Sequence, residues 1–136
     1  LKKHMKKLKD NPLLVIVVVI IVIIGGLAIS KIAVKSTPGE YDTFAQCLTD
    51  NGVKMYGAYW CPHCETQKEL FGNSFSKVDY IECSLPNQGG QTIECQKAGI
   101  GSYPTWEFND GSRVTGSLSF QDLSSQTGCE ITKDQI

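Results

Sequence analysis

The chain has 136 residues, 41% of them hydrophobic and 20% charged, with a formal net charge of −1. That length holds one compact domain and excludes a second catalytic one. Charge is unevenly placed: residues 1–35 carry seven Lys and one Asp, while the remainder carries six basic and thirteen acidic side chains, a net −7. An acidic surface repels phosphate backbones, and no basic cluster interleaves with aromatics beyond the first ten residues, so nucleic acid is excluded as a partner.

Residues 1–12 form a basic N-terminus. From Leu13 to Ile29 there is no charge, and only Gly25 and Gly26 interrupt the apolar run. At 1.5 Å per residue such a run just reaches across a hydrocarbon core, which predicts a transmembrane helix over 13–30. Lys2, Lys3, Lys6, Lys7 and Lys9 precede it, against Lys31 and Lys35 after it. That bias places the N-terminus in the cytoplasm and the remainder outside, as a single-pass protein of the cell membrane. The alternative is a cleaved signal peptide, with Ala28 and Ser30 as the small residues, although the run exceeds the usual apolar region of such peptides. Both readings export the domain.

Residues 31–39 read as a linker ending in the turn-prone Ser36-Thr37-Pro38-Gly39, and the domain occupies 40–136. Asp42 or Thr43 caps a first helix that ends at Asn51-Gly52. Val53 to Tyr59, broken by Gly57, reads as a buried strand. A helix starts at Pro62 and stops at Gly72-Asn73. A second strand over Val78–Cys83, a loop at Asn87–Gly90 and a helix over Thr92–Ala98 follow. Thr105–Phe108 and Arg113–Gly116 flank Asn109-Asp110-Gly111 as a hairpin, and Ser119 caps a last helix through Ser125. The order is helix, strand, helix, strand, helix, hairpin, helix. It predicts an α/β fold of minimal thioredoxin-like order, preceded by the transmembrane helix.

Six cysteines in a short exported domain point to disulfides or redox centres, and fifteen pairings are open to them. Cys61-Pro62-His63-Cys64 places one cysteine at a helix start and the other one turn in, close enough to bond. Free amide groups and the helix dipole favour a thiolate at Cys61, and a protonatable His63 adds to this, which makes Cys61 the nucleophile with its sulfur exposed. Cys64 is then the buried resolving cysteine, attacking the mixed disulfide and releasing the partner. Three rivals exist. Zinc lacks a second pair of suitably spaced ligands, and a c-type haem needs His where Glu65 stands. A purely structural disulfide closing so small a ring constrains little. No metal is expected, and no cofactor beyond the redox-active disulfide of the chain itself.

Tyr103-Pro104 follows a Gly-rich break and precedes a strand, where a cis bond would turn the Tyr103 backbone toward the active sulfurs and let it pair with an extended substrate segment. The alternative is an ordinary loop proline. Trp60, next to Cys61, joins Tyr103 and Pro104 as a substrate-binding candidate.

Lys54-Met55-Tyr56-Gly57-Ala58-Tyr59-Trp60-Cys61-Pro62-His63-Cys64, then Gln67-Lys68, Leu70-Phe71-Gly72, Gly99-Ile100 and Tyr103-Pro104-Thr105-Trp106, closely resembles the thioredoxin-like domain attached to bacterial vitamin K epoxide reductase homologues. The resemblance covers nearly the whole segment after the apolar run. It implies a periplasm-facing protein that passes electrons from client thiols to a quinone-reducing membrane enzyme, here without that enzyme's helical bundle. Cys-Pro-His-Cys is also the tetrapeptide of DsbA-type oxidants. In one departure, Met55 stands where many thioredoxins and DsbA proteins hold a buried acid six residues before the first cysteine. Proton transfer at Cys64 then falls to water or another group, with Glu65 the candidate in the motif.

The expected function is an exported, membrane-anchored thiol-disulfide oxidoreductase that oxidises client dithiols. A reductase or isomerase of the same architecture is the nearest alternative, and a redox-inert peptide-binding domain is the alternative of another class. The remaining cysteines are expected to pair as Cys83 with Cys95, closing the Gly-rich loop, and Cys47 with Cys129, joining the first helix to the segment after the last. Buried free thiols at Cys47 and Cys83 are the other reading.

Overall fold

The computed structural model describes residues 12–29 and 37–134, with side chains described to Ile23 in the first segment. The chain divides into two compact units, Leu1–Lys35 and Ser36–Ile136.

In the first unit Pro12–Ile29 forms helix α1, which carries no acidic residue in its first turn and no basic residue in its last. Its described side chains, from Pro12 to Ile23, are all exposed. Among the described residues no helix is long and apolar enough to cross a membrane. The twelve positions with described side chains cover about 18 Å of helix against a hydrocarbon core of about 30 Å. The expected span of 13–30 starts inside α1, and its last residue, Ser30, lies outside the described residues, as do the flanking lysines.

The second unit runs α2 (Asp42–Asp50), β1 (Lys54–Gly57), α3 (Pro62–Phe71), β2 (Asp79–Glu82), α4 (Ile93–Lys97), β3 (Thr105–Glu107), β4 (Arg113–Thr115) and α5 (Phe120–Thr127). The four strands form one sheet in the order β2-β1-β3-β4. β1 runs parallel to β2, with Lys54 opposite Asp79, and antiparallel to β3, with Lys54 opposite Glu107. A parallel neighbour needs a crossover, which α3 and the 3-10 turn Gly72–Lys77 provide. This mixed α/β arrangement is compatible with a thioredoxin-like fold.

Central position explains why Met55, Tyr56 and Gly57 of β1 are all buried rather than alternating. Around them pack Trp106, Phe44, Phe71, Leu48 and Leu123, each almost fully buried. Phe120 meets Phe71 and Phe44 edge-on at centroid distances of 4.8 and 5.1 Å, so α5, α3 and α2 share one aromatic cluster.

Two helix starts differ in how they are capped. Ser119 and Asp122 form a reciprocal capping box on α5, which continues past Ser125 to Thr127. On α2 neither Asp42 nor Thr43 is the cap: Tyr41 holds that position without a side-chain bond. The Thr43 amide instead donates to Asp134 Oδ2 at 2.8 Å, and Asp42 Oδ1 accepts from Gly39 N at 3.1 Å. A carboxylate brought from the far end of the chain thus satisfies a first-turn N–H.

Candidate active site

Cys61 is the N-cap of α3 with extended backbone, φ −84° and ψ 118°. Pro62 follows at the first helical position, where its missing N–H costs nothing because that group has no partner inside the helix. β1 leads into this corner through a turn in which Cys61 N donates to Ala58 O at 3.0 Å, and Glu65 N donates back to Cys61 O at 3.1 Å. A negative charge developing on Cys61 therefore faces the amide end of α3. His63 is exposed, and its backbone carbonyl accepts from Ser117 Oγ at 3.1 Å.

Cys61 and Cys64 are free thiols, and both are buried. The expected exposure of the Cys61 sulfur is corrected: the residue is only 5% accessible, against 0% for Cys64. The covering group is the loop containing the cis Tyr103–Pro104 bond, whose Tyr103 carbonyl accepts from Cys61 Sγ at 3.5 Å. Burial pushes the Cys64 thiol up to about 12, reinforced by the Cys61 side chain and opposed by a backbone hydrogen bond with Ala58 and by the Lys68 charge. Cys64 is thus held as a neutral thiol at physiological pH.

Beside Cys61 lies a shelf of exposed large side chains. Trp60 and Tyr59 are each 45% accessible and Leu85 41%. Trp60 Nε1 donates to Ser84 Oγ at 2.8 Å, and its ring meets Tyr103 edge-on at 6.0 Å. Gln91 Nε2 donates to Tyr103 Oη at 2.7 Å, and Tyr59 Oη accepts from the Gln88 amide at 3.0 Å. Polar atoms fix the rings while their faces remain open, the usual construction of an apolar contact surface with limited freedom to lose. Trp60 thus meets Tyr103, whose carbonyl accepts from Cys61 Sγ, while Pro104 itself is fully buried. Tyr59, Ser84, Leu85 and Gln91 were not singled out from the sequence, and nothing local marks them.

The four other cysteines are bonded in pairs. Cys47 Sγ is joined to Cys129 Sγ at 2.07 Å and Cys83 Sγ to Cys95 Sγ at 1.96 Å. The second pair closes the segment in which Ser84 and Gln91 form an isolated antiparallel bridge, so it holds the base of the shelf. Met55 is fully buried at the position without an acid. Glu65 is turned to Lys68 Nζ at 3.2 Å with its side chain 54% accessible, so it stands in solvent rather than against Cys64. A carboxylate that is held in place is Glu82 on β2, whose Oε1 accepts from Ser84 N at 2.8 Å and Tyr59 N at 3.2 Å. Among the described residues no cluster of His, Cys, Asp and Glu is arranged to hold a metal ion.

No protein-family model matches the chain. It is similar to thiol-disulfide oxidoreductase LTO1 of Arabidopsis thaliana, at 39% identity over 92 residues, which are 64% of this chain and 24% of that protein. The chain thus spans about a quarter of the length of that relative.

Proposed function

We propose that this chain is an exported, membrane-anchored protein thiol-disulfide oxidoreductase with a thioredoxin-like domain, oxidising client dithiols through a Cys61–Cys64 disulfide. One observation carries the reading: of the six cysteines, only the two at the start of α3 are unbonded, and they lie against the Tyr103 carbonyl. The likeness to the Arabidopsis protein supports thiol-disulfide chemistry in general.

A client thiolate attacks Cys61 Sγ, the more accessible sulfur, and Cys64 leaves and takes up a proton. A second client thiol then attacks the client sulfur of the mixed disulfide, Cys61 leaves as the thiolate, and the client disulfide forms. Two electrons have passed to the chain as its dithiol. In the reverse direction Cys64 resolves the mixed disulfide. The dithiol is reoxidised by a quinone-reducing membrane partner of the vitamin K epoxide reductase type, and no cofactor beyond the disulfide takes part. Residues 13–30 anchor the chain in this reading, which rests on the absence of charge from Leu13 to Ile29 in the sequence.

A second reading, an exported reductase or isomerase, is favoured by the buried Cys64, because a thiol pushed up to about 12 is a poor leaving group when clients attack the disulfide. Equilibration with glutathione buffers separates the two. A potential above about −220 mV with disulfide formation in a reduced, unfolded protein supports the oxidant, and a value near the −270 mV of thioredoxin defeats it in favour of the reductase. Absence of exchange in either direction, with Cys61→Ser indistinguishable from the native chain, leaves the redox-inert peptide binder. Protease added outside intact cells should spare only a short N-terminal fragment. Release of the whole domain would instead indicate cleavage near Ser30.

A further inference from the structure

Every passage through Cys64 moves a proton, and the strand position that would hold a buried acid carries Met55. Gly57, two residues further along β1, separates two polar atoms. A side-chain carbon there would lie 3.1 Å from both Cys64 Sγ and Tyr80 Oη, and 2.7 Å from Tyr80 Cε2. The thiol and the phenol therefore face each other across a bare glycine, no further apart than twice 3.1 Å, a gap that one water molecule spans. Any side chain at position 57 would displace the Tyr80 ring.

Tyr80 Oη donates to Glu82 Oε2 at 2.8 Å. With the amides of Ser84 and Tyr59 on its other oxygen, that carboxylate is held by three hydrogen bonds while the residue remains partly exposed. A fixed acceptor thus connects the half-buried phenol to solvent. The other charged groups at this spot are Lys68, whose Nζ lies 4.5 Å from the Tyr80 ring centroid, and Glu65, which is bonded to Lys68 at 3.2 Å.

We propose that Tyr80 and Glu82 form the proton relay of Cys64, taking the place of the absent buried acid. This rests on the oxidoreductase reading above. When Cys64 resolves a mixed disulfide, its proton passes through one bridging water to Tyr80 Oη as the phenol proton passes to Glu82 Oε2. The thiolate so formed attacks Cys61 Sγ, the Cys61–Cys64 bond forms, the bond from Cys61 to the client sulfur breaks, and the client leaves as a thiolate. The dithiol is oxidised by two electrons and the client reduced by two. When a client opens the disulfide, the same path runs backwards and delivers a proton from solvent through Glu82 and Tyr80 to the departing Cys64. Burial raises the Tyr80 hydroxyl well above the usual phenol range, with Glu82 adding to this, so the phenol stays protonated and available as a donor.

The test uses the reduced chain and an aromatic disulfide that releases a coloured thiolate. Its first phase reports attack by Cys61 and its second reports attack by Cys64. Tyr80→Phe and Glu82→Gln should leave the first phase unchanged and slow the second about 100-fold at pH 7, the low end of general acid-base contributions. The deficit should shrink as pH rises, because hydroxide then removes the proton without the relay. A second phase unchanged in both variants, or both phases slowed alike at every pH, overturns the relay alone. Absence of a first phase in the native chain overturns the oxidoreductase reading, and the relay with it. Should Tyr80→Phe fail to fold, Glu82→Gln carries the same test.

Discussion

The sulfur of Cys61 stands 3.5 Å from the backbone carbonyl of Tyr103, a residue 42 positions away. The sulfur proposed to attack and the backbone proposed to receive a client segment are therefore in contact, and Cys64 is fully buried.

Alkylation should therefore be selective. A thiol held at about 12 is a thiolate in only roughly one molecule in 10⁵ at pH 7. Iodoacetamide on the reduced chain is expected to label Cys61 alone, as read by peptide mass spectrometry. Preferential labelling of Cys64 would reverse the two roles.

Stability of the reduced chain should depend on pH in the alkaline range. The folded Cys64 thiol titrates at about 12, above the ordinary 9.0, so folding holds its proton more tightly than the unfolded chain does. That contribution is full below about pH 9 and is lost as pH rises toward 12. Thermal melting between pH 8 and 11 should fall more steeply for the reduced native chain than for Cys64→Ala. Equal slopes would show that Cys64 is not desolvated.

Gln67 is 1% accessible and grips the chain before α5 with both ends of its amide, Nε2 donating to Leu118 O at 3.0 Å and Oε1 accepting from Leu118 N at 2.7 Å. Gln67→Leu leaves a partly buried N–H and C=O without protein partners and is expected to cost about 1 to 3 kcal/mol in denaturant unfolding. A loss below about 0.5 kcal/mol would mean that water replaces both bonds.

The two structural bridges should contribute unequally. Cys47–Cys129 closes a separation of 82 residues and Cys83–Cys95 one of 12. On the chain-entropy account these correspond to about 4.5 and about 3 kcal/mol. The Cys47→Ala/Cys129→Ala pair should melt lower than Cys83→Ala/Cys95→Ala, while the latter should lose more exchange activity because it loosens Ser84 and Gln91 beneath Trp60 and Tyr103. Equal activity in both pairs would detach the shelf from catalysis.

The elements legible in the sequence are those set by short-range chemistry. Pro62 among helix formers, Gly72 as a stop, Ser119 with Asp122 as a cap and Asn109-Asp110-Gly111 between two strands each act within a few residues. Their order therefore emerged with boundaries shifted by one or two positions, and the apolar run after Pro12 is likewise a property of composition alone. Of the contacts between distant segments, those involving cysteines and the Tyr103-Pro104 pair had a marker in the sequence, and the rest did not. Asp134 satisfying the α2 start, Gln67 holding Leu118, the near-complete burial of Cys61, and Tyr80 bonded to Glu82 across Gly57 from Cys64 all depend on how the sheet brings separate segments together. Gly57 shows the boundary best. The sequence marked it as a break in an apolar strand, but only the tertiary structure shows that the missing side chain leaves room for the Tyr80 ring against the resolving sulfur.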